Sequence, residues 1–299
     1  MKSTTALIAT TTWLLTCASF TTCLVTGSNI LAQQQRPIRL LHRLASHSSP
    51  SSSSINKNIQ RQQTSESTVA GAILSFSSPP VHSTQGTFRV PIACMPTSGP
   101  TANNPVGIYA ASFQIGIDSL LCQKSLRLGI DIVWDGTLGG EQTPFAWHHY
   151  LPDFPVSGFA KFSVAAGDLV RLTASTSAEE MMVKIENFGN CTTTTTSPKA
   201  VAEHSFPAPV EEEECDQQAA GWMIEDLLLA GLPDIPVALA NFTAVQFGIL
   251  KVSTEKGETV NAKGAEVKNI YQQAQGGRLT DCAVAEDGGS MKCERIVVP

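Results

Sequence analysis

Glu225 lies in the stretch Gly221-Trp222-Met223-Ile224-Glu225-Asp226-Leu227, a carboxylate set among apolar neighbours. Strand alternation sends Trp222, Ile224 and Asp226 to one side and Met223, Glu225 and Leu227 to the other, so Glu225 projects from an otherwise greasy strand. Burial raises a carboxyl pKa, and an acid that keeps its proton at mildly acid pH can serve as general acid and base. The plainer alternative is a sheet-face glutamate, solvated or paired with a basic neighbour. Two further stretches offer partners for such chemistry. Arg127 and Asp131 fall on one face of the run over residues 125–134, opposite Leu126, Leu128, Ile130 and Ile132. That polar face is either ordinary solvent surface or the floor of a groove. Phe145, Trp147, His149 and Leu151 project together from the next run, a large apolar display with one titratable ring. A core strand and a groove wall that stacks on an extended ligand both fit that pattern.

The elements that must position these residues are strands. From Val69 onward, short β-prone runs alternate with Gly, Pro, Asn and Asp, without a convincing amphipathic helix. Candidate strands cover 70–76, 87–92, 110–117, 125–134, 145–151, 169–174, 181–187, 221–227, 244–252, 267–271, 279–284 and 291–298. About a dozen strands in one continuous series predict an all-β chain built as a two-sheet sandwich rather than two small domains. Leu126, Leu128, Ile130 and Ile132 then face the core between the sheets.

The chain has 299 residues, 42% hydrophobic and 15% charged, enough for a sizeable core. Its net charge of −6 and sequence pI near 5.5 argue against nucleic acid or an anionic membrane as the main partner. Residues 1–32 read as a secretory signal: Lys2, then an uncharged stretch with an apolar centre at Trp13-Leu14-Leu15, then small residues. No other span is long and apolar enough for a membrane anchor. Residues 33–68 shift to Gln, Ser and basic residues, and their composition cannot offset chain entropy, which suits a pro-segment or a linker. Its basic cluster, Arg36, Arg39, His42 and Arg43, would neutralise an acidic domain. Residues 69–299 form the folded domain.

Secretion implies an oxidising compartment. Of the eight cysteines, Cys17 and Cys23 would leave with the signal, and six remain. Cys282 and Cys293 lie symmetrically about the turn signal Asp287-Gly288-Gly289, as a cross-strand pair in a hairpin would. No cysteine pair has the spacing and histidine partners of a zinc site, so neither a metal nor another cofactor is expected. Asn190-Cys191-Thr192 and Asn241-Phe242-Thr243 are glycosylation sequons.

An ordered series of segments resembles the glutamic peptidase, or eqolisin, family of secreted acid endopeptidases. Residues 69–74 resemble the family's opening strand, and Gly116-Ile117-Asp118 before Cys122 resembles its Gly-Ile-Asp segment. Ala146-Trp147 with Pro152-Asp153, then Ala166-Gly167-Asp168, Ile185-Glu186-Asn187, His204-Ser205-Phe206 and Cys215 before Trp222-Met223-Ile224-Glu225-Asp226, follow in the family's order. The resemblance implies two antiparallel sheets in a concanavalin-like sandwich, one bent into a substrate groove, a Cys122–Cys215 bridge, and Cys94 and Cys191 left for each other or free. It also implies a monomer acting on polypeptide. Glu225 would be the glutamate that activates water and returns the proton to the leaving amine, while a glutamine on a neighbouring strand donates to the oxyanion.

The chain departs from that pattern on one face. Where the family has Gln-Thr-Gly-Val-Asp, this chain has Arg127-Leu128-Gly129-Ile130-Asp131, so a guanidinium replaces the catalytic amide. Gln114 stands where the family has a substrate-stacking Trp, and Phe145, His149 and Leu151 replace the polar residues around Trp147. Trp147, Asp131, Gln114, Phe145, His149 and Leu151 are therefore the expected substrate-contacting set, with Glu225 and Arg127 as the catalytic pair. A secreted endopeptidase with a degenerate site is one reading; a lapsed family member that binds peptide or glycan in the same groove is the other. Both disulfides, Cys122–Cys215 and Cys282–Cys293, are expected in non-reducing peptide maps, the longer loop contributing roughly 3–5 kcal/mol in the chain-entropy picture. Finding either pair unlinked would refute that pairing.

Overall fold

A computed structural model of the chain describes residues 40–41, 67–95, 107–118, 124–136, 140–151, 154–192, 194, 197–207, 218–229, 232–242 and 244–296. In chain order the strands are β1 (Leu40–Leu41), β2 (Val69–Ser75), β3 (Val81–Arg89), β4 (Ile108–Ile117), β5 (Ser125–Asp135), β6 (Glu141–Leu151) and β7 (Phe154–Gly158). There follow β8 (Leu169–Thr176), β9 (Glu180–Asn187), β10 (Ala200–Pro207), β11 (Ala219–Glu225), β12 (Leu228–Leu229), β13 (Leu232–Pro236) and β14 (Ala238–Leu239). The last are β15 (Ala244–Thr254), β16 (Thr259–Val260), β17 (Glu266–Lys268), β18 (Tyr271–Gln272), β19 (Gly277–Arg278), β20 (Thr280–Val284) and β21 (Ser290–Arg295), with one 3-10 turn at Gln273–Gln275.

Two large sheets make the sandwich. One runs β17-β2-β11-β4-β5-β6-β7, with β14 added beside β4; the other runs β10-β9-β8-β3-β15-β21-β20, with β16 beside β15. Alternation fills the space between them: Phe113, Ile115, Leu128, Ile130, Trp222 and Ile224 from the first sheet meet Phe88, Leu172, Val183, Phe247 and Val252 from the second. Trp222 ties the layers directly, since its indole Nε1 donates to the backbone oxygen of Gln85 at 2.8 Å. Gly86 makes room for that ring, because a Cβ there would stand 2.8 Å from Trp222.

The inward set expected for β5 is the observed one, Trp222 and Ile224 of β11 share a face as expected and it is the inward one, and Cys282–Cys293 closes the β20–β21 hairpin as a directly opposed pair. Cys191 is free and Cys94 is disulfide-bonded, so Cys94 is neither joined to Cys191 nor free, against the expectation from the resemblance. Cys122 and Cys215 lie outside the described residues. Strand β10 has no counterpart among the expected strands. It is a sheet edge on which most side chains face solvent and Phe206 alone is buried, so no apolar alternation marks it. Leu40–Leu41, within the Ser/Gln-rich leader, pairs antiparallel with Leu228–Leu229.

His148 packs toward the second sheet from the opposite side of β6 to Trp147. Its ring stacks on His204 of β10 at 4.2 Å, with Phe159 and Phe206 edge-on at 4.6 and 5.5 Å. Burial first, and the neighbouring His204 second, push the His148 pKa down to about 4. The folded state therefore binds this proton less readily than the unfolded chain. The His148 contribution to stability is complete above about pH 6.5 and falls by on the order of 1–3 kcal/mol as pH drops to about 4. His148→Phe should flatten that part of the pH profile in urea unfolding while leaving stability near pH 8 little changed. Equal slopes for the two proteins between pH 6.5 and 4 would show that His148 carries none of the loss.

Candidate active site

The site occupies the face of the first sheet that points away from the second. Central strands β4, β5 and β11 are in register there: Glu225 lies opposite Ser112, Met223 opposite Gln114, Ser112 opposite Asp131, Gln114 opposite Gly129 and Gly116 opposite Arg127. Strand β6 continues the row, with Arg127 facing His149, Gly129 facing Trp147 and Asp131 facing Phe145. Period-two alternation thus gathers residues from four strands that are up to 113 positions apart in sequence.

Glu225 is the centre of this cluster. Its Oε2 accepts a hydrogen bond from Gln114 Nε2 at 2.6 Å and faces Arg127 Nη1 at 3.5 Å. All three groups are out of water: Gln114 is 0% exposed, Arg127 1% and Glu225 2%. Burial holds the Arg127 pKa below its ordinary value, while the Glu225 charge acts in the other direction. A guanidinium this close favours the ionised carboxylate. Because a carboxylate can only accept, the amide of Gln114 must present nitrogen to it, which leaves Gln114 Oε1 without a hydrogen-bond partner among the described residues. The same holds for Ser112 Oγ, also fully buried. Either oxygen can accept a hydrogen bond from a water or a substrate amide.

Beside them, Trp147 is fixed by its indole Nε1, which donates to Asp131 Oδ1 at 2.6 Å. Its ring lies over Gly129, where a Cβ would come within 2.8 Å of both Trp147 and the Gln114 Cβ and 2.7 Å of the Phe113 backbone oxygen. A side chain at position 129 would therefore push the two flanking residues apart. His149 is fully buried with its ring 5.2 Å from that of Trp147. The next turn of chain seals one end of the face: Leu227 and Val237 join Ile108, Ala110 and Val133 in a second small apolar cluster, and Asp226 accepts a hydrogen bond from Gln272.

Of the residues expected from sequence, Glu225, Arg127 and Gln114 come together directly, with Trp147, Asp131 and His149 alongside. Phe145 stands at the margin, 48% exposed. Leu151 is half-buried opposite Ser125, at the far end of β6 from Phe145, and is not brought to the carboxylate. Gln114, expected to touch substrate in place of a stacking Trp, donates its amide N–H to the glutamate. Ser112 was missed, although its alternation with Gln114 on β4 places it on this face. Among the described residues no group of three or more His, Cys, Asp or Glu converges as a metal site would require.

The chain is thus an antiparallel two-sheet β-sandwich with a buried carboxylate and amide on the outward face of one sheet. Residues 67–295 match the Peptidase A4 family, the glutamic peptidases, and the chain belongs to that family. No curated protein matches it. Solved structures resemble it faintly. The enzymatically active domain of tailspike protein 2 of bacteriophage CBA120 shares 13% identity over 60% of this chain and 24% of its own, at a TM-score of 0.26. Full-length tailspike protein 2 from an Escherichia coli O157:H7 bacteriophage gives 12%, 59%, 20% and 0.28. An alginate lyase from Klebsiella pneumoniae gives 10%, 60%, 61% and 0.29. The chain spans less than two thirds of each, and none of these likenesses bears on the site.

A buried ion pair costs most when one partner is left behind. Arg127→Met should destabilise the domain by about 3–5 kcal/mol in urea unfolding at pH 7, and the double variant Arg127→Met with Glu225→Leu should recover much of that loss. Additive losses would mean that the two charges do not act as a pair.

Proposed function

We propose that this protein is a secreted glutamic-type endopeptidase, active at acid pH, whose glutamate works with an amide on a different strand from the family's own. The observation that carries this reading is the 2.6 Å hydrogen bond from Gln114 to Glu225 on a sheet face shared with Trp147. Family membership supports a polypeptide substrate. Glu225 takes a proton from the attacking water as it adds to the scissile carbonyl. The Gln114 amide is the donor to the oxyanion, and Glu225 then returns the proton to the leaving amine. Arg127 tightens the carboxylate and so weakens it as a base, which makes this a slow member of its class.

The leader bears on when such a site works. Leu40–Leu41 pairs with Leu228–Leu229, three residues beyond Glu225, which supports reading residues 33–68 as a pro-segment. Its removal would then precede activity.

The buried Arg127–Glu225 pair favours a second reading, in which hydrolysis has lapsed and the protein binds a peptide or glycan at the exposed Phe145, beside the buried Trp147. Incubating the purified full-length chain with denatured protein at about pH 3–5 separates the two. The endopeptidase reading expects cleavage that rises as the N-terminal segment is lost. Glu225→Gln should abolish it, and Gln114→Ala should lower it about 10²–10³-fold, the usual effect of losing an oxyanion donor. Arg127→Gln should raise it by freeing the carboxylate. If no cleavage develops after the leader is gone, the lapsed reading stands; if Arg127→Gln slows cleavage, Arg127 is itself a catalytic donor.

A further inference from the structure

The two sequons sit in opposite surroundings. Asn190 is exposed, in the turn that follows β9. Arg89 spans that turn: its Nη1 donates to the Gly167 backbone oxygen at 2.8 Å and to Asn190 Oδ1 at 3.3 Å, and its Nη2 donates to the Cys191 backbone oxygen at 2.6 Å. A guanidinium only donates, so the atom of Asn190 that it holds is the oxygen, and the amide nitrogen is the end turned away from it. That nitrogen is the atom to which an N-linked sugar attaches. The turn is therefore fixed from beneath while its reactive end is presented outward, ahead of the solvent-facing edge strand β10.

Asn241 is half-buried and held by its backbone. Its N–H donates to the Cys94 oxygen at 3.1 Å and its own oxygen accepts from the Cys94 N–H at 2.8 Å. The residue that follows, Phe242, is 0% exposed and packs edge-on to Phe113 at 5.2 Å within the main core. A sugar on Asn241 would have to be housed beside that bridge, with the chain on both sides drawn inward.

From this contrast we propose that Asn190 carries an N-linked glycan and that Asn241 does not, an assignment that rests on passage through a secretory compartment. The test secretes the full-length chain from a eukaryotic host in two forms, with its own N-terminus and behind a leader supplied by the host. Secreted protein is treated with peptide N-glycosidase in heavy-oxygen water and its peptides are read by mass spectrometry. Heavy-oxygen aspartate at position 190 and unchanged asparagine at 241 are expected, and Thr192→Ala should remove all of the glycosidase-sensitive mass. Unchanged Asn190 in the leader-driven material, or heavy-oxygen aspartate at 241, overturns the proposal. Export of the leader-driven form alone, modified at Asn190, sustains it while sinking the secretion reading.

Discussion

The central strands of the first sheet are buried on both faces, and that constraint shapes everything attached to them. An antiparallel sheet normally keeps one face wet, which lets polar residues alternate outward at no cost. Here the outward residues of β4, β5 and β11 are as dry as the inward ones. Every polar group placed there must find a partner or lose free energy to desolvation. The pairs Gln114 with Glu225 and Trp147 with Asp131 answer that demand, and Arg127 balances the charge. The same dryness gives such groups chemical leverage, since electrostatic interactions strengthen as water is excluded.

Much of this was legible from residue alternation. Leu126, Leu128, Ile130 and Ile132 on one side of β5, and Glu225 opposite Trp222 and Ile224 on β11, follow from a period of two, and the structure keeps every one of those assignments. Alternation says which face a residue takes, but not which strand lies beside which. Gln114 illustrates the gap. Its face was readable, yet its bond to Glu225 depends on β4 lying between β11 and β5, a matter of sheet order. Its reading as a substrate contact came from a Trp-bearing pattern, and the shorter amide reaches a different neighbour. Ser112 was overlooked for the same reason. Strand β10 escaped because an edge strand with one buried residue lacks the pattern by which strands are recognised.

Strand position also explains how one face tolerates replacement of its polar residues. The inward residues interlock across the sandwich, with Trp222 reaching Gln85 and needing Gly86 beneath it, so changes there disturb both layers. The outward residues pair with one another across neighbouring strands, as Gln114 and Arg127 do with Glu225 and Trp147 does with Asp131. An arginine at position 127 and a glutamine at 114 can therefore be accommodated by local pairing, without reference to the core that holds the strands in place.

The two ends of the second sheet differ in a way that matters for handling the protein. At one end, Cys282–Cys293 fastens the terminal strand to its neighbour. At the other, β10 is held by ordinary ladder bonds and an exposed Lys184–Glu203 pair, and it displays Val201 to solvent. An exposed strand edge is a template for pairing with another chain. Thiol reductants in a purification buffer would remove that fastening and leave β20, itself an edge, held to β21 by ladder bonds alone, as β10 is held at the other margin. Self-association into sheet-joined aggregates is then a property of the redox potential of the buffer as much as of the sequence.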